Sequence, residues 1–510
     1  MKERYKLLLI IIVSTLIRCV IAASIGLGND EVYYVTYAQH LQWNYFDHPP
    51  MVALLIRLTT FNLFFTSEFF IRLGPILLSA INTYLVFDIC TKIKNKNAGL
   101  IAALLFSCSF YSSIIAGVFI MPDAPQLFFW IISASLLTKI VSDIEKNKNY
   151  NTTILIFGVV AGLCIMSKIH GVFLWIGFGL YILFYKRSLL SNGNLYLSML
   201  ISLAIISPIL IWNIENNFIT YTFHSNRIAV NNGINPNSFF REFLGGIFYN
   251  NPINYFLISM ALVAVWKNKI SISQPLKSLL LLLSLPLIGL LLFISLFRDT
   301  LPHWSGPAFL SLIILTACFL AETMQDLNTN FRPPKLVVIS CVFIVFISII
   351  GTGLINYFPG TIGNVKGQEL GTGDFTLDMY DWGKLRNEFE KTYLKNIKNK
   401  KTNTTFIINN KWFPGAHIDN YIAQPLDLDF IAIGKIEDIH TYKWLNSFRK
   451  KLNKGDDAYF ITVSNNYIDP KKQYKMIFEK INPPEVIQQL RNKKPARNMY
   501  IYLLEGYKGR

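Results

Sequence analysis

Apolar residues run in blocks along the first 356 positions, broken by short polar loops. Eleven blocks are read, at roughly 7–25, 70–90, 98–118, 124–140, 152–166, 171–185, 195–212, 252–266, 278–297, 304–321 and 336–356. About twenty apolar residues in a helix cross a hydrocarbon core of roughly 30 Å. The pattern therefore predicts a polytopic α-helical membrane protein with about eleven transmembrane helices. Beyond residue 356 the pattern changes. Runs at 405–408, 459–463 and 499–504 predict strands, while 377–395 and 416–422 predict helices. Two domains are expected: 1–356 in the membrane, with an outer loop at 26–69 carrying interfacial helices, and 357–510 as a small α/β domain. No internal repeat is visible, so the inverted-repeat plan of many transporters gains no support.

Composition agrees with this picture. Of 510 residues, 52% are hydrophobic and 15% charged, whereas soluble domains carry roughly 25% charge. A soluble enzyme, a disordered chain and a coiled coil are excluded. The net charge of +17 lies in short loops and in the C-terminal segment without a basic-aromatic groove, so nucleic acid is not an expected partner. The six cysteines fall in apolar runs with no CxxC, which implies neither a disulfide framework nor a cysteine metal site. The first block follows basic residues and lacks a small-residue cleavage site, so it reads as a retained anchor. With the N-terminus inside, the inner segments hold sixteen Lys and Arg residues and the outer loops before residue 357 hold five. This bias puts the N-terminus in the cytoplasm and, after an odd number of spans, the C-terminal domain outside.

Acidic residues favour the outer loops, and candidate chemistry collects there. The first outer loop opens with Gly28-Asn29-Asp30-Glu31-Val32-Tyr33-Tyr34. An acidic pair just beyond a span can orient or deprotonate an acceptor hydroxyl, or hold a cation. A helix start capped by Asn29, with Asp30 and Glu31 on the dipole, explains the same residues. Asp47-His48-Pro49-Pro50 follows, and its prolines prevent a helix through this point. They place Asp47 and His48 ahead of an amphipathic stretch at 51–65. Asp123 stands between Pro122 and Pro125 at a membrane edge, where a carboxylate is costly unless it faces a polar cavity. Lys168 lies outside, against the charge bias, where an anionic phosphate would explain it and a snorkelling lysine is the alternative.

Taken in order, D-E-x-Y-Y, Y-F-D-H-P-P-M, P-D-A-P and S-K resemble the membrane glycosyltransferases of family 39 of the GT-C class. That family includes the protein O-mannosyltransferases and the lipid A aminoarabinose transferase. The resemblance covers residues from about 14 to 360 and is loose in the C-terminal domain. It implies a GT-C fold and a sugar donor on a polyprenyl phosphate. Asp30, Glu31 and Asp123 become catalytic candidates, and Lys168, Arg227 and Arg298 donor-phosphate candidates. A divalent ion, zinc or magnesium, is a further implication, with Asp47, His48, His224 and His303 as candidate ligands. His224 and Arg227 match an H-x-x-R of the aminoarabinose transferase, while His48 replaces a lysine of that family.

The expected activity is inverting sugar transfer from a polyprenyl-phosphate carrier to a lipid A-like or other acceptor. The expected location is the periplasmic face of a bacterial inner membrane, with lipopolysaccharide modification as the expected context. A protein O-mannosyltransferase-like enzyme is the alternative acceptor class. A lipid or sugar flippase is the rival from another class, and it would need polar residues at mid-membrane rather than at the outer ends. A non-catalytic scaffold gives no reason for the motifs to occur in this order.

Overall fold

A computed structural model of the chain describes residues 2–228, 233–322, 324 and 331–509, with the side chains of 2 and 226–228 left undescribed. The chain divides into two compact units: residues 1–22 with 42–348, and residues 23–41 with 349–510.

The first unit is helical. Its elements are α1 (Lys2–Ser24, which runs on into the second unit), α3 (Met51–Thr59), α4 (Glu68–Ile93), α5 (Lys96–Cys108), α6 (Asp123–Glu145), α7 (Asn151–Ser167), α8 (Val172–Tyr185), α9 (Gly193–Glu215), α10 (Ile219–Ile228), α11 (Pro236–Tyr249), α12 (Pro252–Trp266), α13 (Gln274–Leu282), α14 (Leu285–Ser295), α15 (Gly306–Glu322) and α16 (Lys335–Tyr357). Among the described residues, seven helical runs are long and apolar enough to cross a membrane, and four shorter apolar helices accompany them. These correspond one to one with the apolar blocks of the sequence. Two blocks fold less regularly than expected. The third breaks after Cys108 into a π-turn at Tyr111–Ile115. The ninth breaks at Leu283–Ser284, ahead of Pro286, whose missing N–H and bulky ring interrupt the ladder.

Small residues let these helices approach closely. A Cβ on Gly158 of α7 would stand 2.4 Å from the Ser198 carbonyl oxygen of α9. Ser198 and Ser202 there donate their hydroxyls to the Ile154 and Gly158 carbonyls at 2.7 and 2.5 Å. In lipid, association rests on such close packing and on interhelical hydrogen bonds. Asn251, at the start of α12, donates to the Cys108 carbonyl at 3.0 Å and to Ser340 Oγ at 2.8 Å, tying α5 to α16. The two prolines act as expected: α3 begins at Met51, directly after Pro50. It ends sooner than the expected 51–65, because Phe61, Asn62 and Leu63 take positive φ.

The second unit holds α2 (Asn29–Gln39), α17 (Trp382–Lys398), α18 (Trp412–Ile418) and six strands: β1 (Phe406–Asn409), β2 (Asp429–Ala432), β3 (Ala458–Val463), β4 (Phe478–Ile481), β5 (Glu485–Arg491) and β6 (Lys494–Tyr507). The sheet order is β2-β1-β3-β6-β4, with β5 also paired to β6. The first three strands are mutually parallel and the last three join as antiparallel ribbons. The α2 segment belongs to this unit through specific bonds. Gly26 N–H donates to Met379 O at 3.0 Å, a Cβ at Gly26 would lie 2.8 Å from that oxygen, and Leu27 N–H donates to Tyr421 Oη at 2.9 Å.

Candidate functional site

Within the helical unit, the sequence candidates gather around one ion pair. Asp123 opens α6, where the positive end of the helix dipole favours an acid. Lys168 closes α7 with extended backbone. Its Nζ donates to Asp123 Oδ1 at 2.9 Å and Oδ2 at 2.8 Å. The two side chains are only 4% and 1% exposed, so this is a buried pair rather than a surface contact. Tyr111 Oη donates to Asp123 Oδ1 at 3.1 Å, and the π-turn carries that tyrosine.

Histidines surround the pair. His48 keeps a small opening to solvent, yet the protein packed around it pushes its imidazole down to about 4. The neighbouring Asp47 and Asp123 carboxylates oppose that shift, and the charge on Lys168 and the His224 ring reinforce it. His48 is therefore neutral at physiological pH. The His48 and His224 rings lie 6.2 Å apart. His170 is within electrostatic reach of Lys168, Asp123, His48 and His224, and its ring lies 5.6 Å from Trp304. His303 is within reach of Asp123 and Lys168 and packs 5.9 Å from Tyr249. The Y-F-D-H-P-P-M, P-D-A-P and S-K motifs thus meet in one place, together with His303.

His224 Nε2 donates to the Asp47 carbonyl oxygen at 2.9 Å, which occupies that nitrogen. Among the described residues no group of three or more His, Cys, Asp or Glu gathers to hold an ion. No step below is routed through a metal.

Arg227 is on α10, and its side chain lies outside the described residues. Arg298 is half-buried, and its carbonyl accepts the Ser238 hydroxyl at 2.6 Å. Asp30 and Glu31 are on α2, in the second unit. The capping expectation needs correction: Gly28, not Asn29, is the N-cap, and the Glu31 carboxylate accepts Gly28 N–H at 2.8 Å. Asn29 Nδ2 instead donates to Asp378 Oδ2 at 2.8 Å. Glu31 is buried as a cap while Asp30 is exposed.

Several residues escaped sequence reasoning. His170 stands two positions after Lys168, a signal that was available. Tyr111 gives none, since an aromatic in an apolar run reads as core. Glu242 is buried, accepts Thr300 Oγ1 at 2.7 Å, and is raised by its burial.

This arrangement defines a class: polytopic α-helical membrane proteins with polar side chains collected at helix ends and a small sheet-containing domain after the last span. Two solved structures share the fold. ArnT from Cupriavidus metallidurans in the apo state is 12% identical, with a TM-score of 0.61, covering 97% of both chains. The same protein bound to undecaprenyl phosphate is 13% identical, with a TM-score of 0.61 and the same coverage. The family described as dolichyl-phosphate-mannose-protein mannosyltransferase matches residues 47–212, a stretch that includes Asp47, His48, Asp123 and Lys168. No curated protein sequence matches the chain.

Proposed function

We propose that the chain is an integral membrane glycosyltransferase that takes a sugar from a polyprenyl-phosphate carrier on the periplasmic face of a bacterial inner membrane. The observation that carries this reading is the buried Lys168–Asp123 pair at the ends of two apolar helices, in a fold shared with a protein crystallised with undecaprenyl phosphate. An ammonium held in a dry site can stabilise a departing phosphate far more than one in water can.

The reaction is an inverting displacement at the anomeric carbon. The acceptor oxygen forms the new bond. The bond from the anomeric carbon to the phosphate oxygen breaks, and its electron pair leaves on the lipid phosphate. Lys168, joined by Arg227 or Arg298, neutralises that charge, and Asp123 holds the lysine in place. Asp30, assisted by Glu31, orients a hydroxyl acceptor and takes its proton. A phosphate acceptor is already ionised and needs only orientation. The basic inner loops support a cytoplasmic N-terminus and a periplasmic C-terminal domain.

Two acceptor classes follow from different observations. The motif resemblance to the lipid A aminoarabinose transferase favours a lipid A-like acceptor, and the family match over 47–212 favours a protein. Purified protein is incubated with labelled polyprenyl-phosphate sugar and either lipid A or a membrane-protein fraction. The enzyme releases free polyprenyl phosphate and labels one acceptor, whereas a flippase or scaffold releases none, and that result would overturn the proposal.

A further inference from the structure

Helix α11 supports two segments that reach the Lys168–Asp123 pair. Asn235, Ser238, Glu242, Gly245 and Tyr249 recur at three- and four-residue intervals, so they share one side of this helix. The chain leaving α14 runs along that side. Asn235 N–H donates to the Leu296 carbonyl at 2.6 Å. Ser238 Oγ donates to the Arg298 carbonyl at 2.6 Å, and Thr300 Oγ1 donates to Glu242 Oε2 at 2.7 Å. A Cβ on Gly245 would collide with the Pro302 ring, and the Tyr249 ring lies 5.9 Å from that of His303. Residues 296, 298, 300 and 302 alternate, so one side of the connector is turned to α11 along its length. The last turn of α11 also meets the other segment. Ser109 Oγ donates to the Tyr249 carbonyl at 3.3 Å, and Phe110, next to Tyr111, packs 5.5 Å from the Tyr249 ring.

These contacts differ in what they can hold. Arg241 and Asp299 pair at 2.7 Å, but both are well exposed, where an ion pair is worth little. Glu242 and Thr300 are 3% and 1% exposed, so breaking their bond leaves a buried polar group without its partner. A carboxyl is also a costly group to bury for the sake of packing alone. The opposite side of α11 is apolar, with Phe240, Leu244 and Phe248 exposed, as suits a helix lying at a lipid surface. The Glu242–Thr300 bond stands three residues before His303, which is within electrostatic reach of Asp123 and Lys168.

We propose that Glu242 is a positioning residue for the donor site: through Thr300 it fixes the segment that carries His303 against the Lys168–Asp123 pair, where the carrier phosphate is received. Glu242 touches neither donor nor acceptor and acts through His303. The inference rests on the transferase reading for the identity of that ligand.

The test is titration of the full chain in nanodiscs with undecaprenyl phosphate, with thermal unfolding followed in parallel. Glu242→Ala and Thr300→Val are each expected to weaken binding by about tenfold, the scale of one buried hydrogen bond. Glu242→Gln still accepts from Thr300 and is expected to restore binding to within about twofold of wild type. Gly245→Ala is expected to weaken binding although alanine is the better helix former, because its methyl displaces Pro302. In a His303→Ala background, Glu242→Ala is expected to add no further loss. Should Glu242→Ala fail to fold, Thr300→Val and Gly245→Ala decide. Losses that add fully to that of His303→Ala would overturn the proposal. Wild-type binding retained by folded Glu242→Ala, Thr300→Val and Gly245→Ala would overturn this inference alone. Failure of the wild-type protein to bind undecaprenyl phosphate would overturn the transferase reading together with it.

Discussion

The two units each bury an ion pair, and the pairs are built differently. In the sheet-containing unit, Asp374 and Arg491 are both fully buried. Arg491 donates to Asp374 Oδ2 at 2.7 Å, Thr376 Oγ1 at 2.7 Å, Gly360 O at 2.8 Å and Ile355 O at 3.2 Å. Asp374 accepts further bonds from Thr361 and from the Ile362 and Thr376 backbone. The protein itself engages four of the guanidinium's five N–H groups and both carboxylate oxygens, so the pair is close to saturated. In the helical unit, both Lys168 Nζ bonds go to one carboxylate, and a lysine has three donors. Three imidazoles, those of His48, His170 and His303, lie within electrostatic reach of it. A saturated pair holds a fold together, whereas an unsaturated pair ringed by titratable side chains is suited to receive a charged ligand.

Asp30 tests the comparison most severely, because it is an exposed acid on the unit whose buried charges serve the fold. Asp30→Asn is expected to reduce transfer by about 10²–10⁴-fold if the acceptor is a hydroxyl. Unfolding should move by less than about 0.5 kcal/mol, as for surface changes generally. Near-normal transfer by the folded variant would reject Asp30 and shift attention to Asp123. Breaking the saturated pair should act in the opposite way. Arg491→Met leaves Asp374 buried without its charge partner, at a cost of roughly 3–5 kcal/mol, read as early unfolding of this unit by limited proteolysis.

The unsaturated pair calls for a double variant, because Lys168→Met alone strands Asp123. Lys168→Met with Asp123→Asn removes both charges. This variant is expected to keep its melting temperature and still lose about 2–4 kcal/mol of transition-state stabilisation, or about 30- to 1,000-fold in kcat/KM. Wild-type turnover at limiting donor would make the pair architectural, like Asp374–Arg491.

How much of this was legible in the sequence follows from range. The eleven apolar blocks depend on local composition, and each folds as a helix. Asp123 and Lys168 were each singled out by a misfit, an acid between prolines and a lysine outside the membrane. Their pairing across 45 positions left no local trace. Strand β1 was found because its residues are apolar and buried, but β5 was missed because Glu485–Arg491 is an edge with mostly exposed side chains. Asp374 stands in a polar stretch after the last apolar block, yet it is buried. Its partner Arg491 lies 117 positions away. The attachment of α2 to the second unit was hidden for the same reason, since His417 donates to the Leu27 carbonyl across 390 positions.

The smallest expected effect sharpens the contrast inside the second unit, where two aspartates titrate in opposite directions. Burial pushes Asp374 up, but bonds from Thr376, Ile362 and Thr361 and the Arg491 charge together hold it below its ordinary value. Its contribution to stability is present above the unfolded pKa and lost as pH falls through the folded one. Burial raises Asp378 to about 6, against the Asn29 hydrogen bond and the Arg497 charge. Its folded form binds the proton more tightly than the unfolded chain does, so stability falls as pH rises from about 4 through 6 and stays lower above that. Asp378→Asn keeps an oxygen to accept from Asn29 and removes the charge. We expect it to flatten this part of the stability profile and to gain roughly 1 kcal/mol at pH 8, with little change at pH 4. Thermal unfolding at the two pH values reads the difference. An equal shift at both would assign the effect to packing, and a loss at pH 8 would show that the Asp378 carboxylate is needed in its charged form.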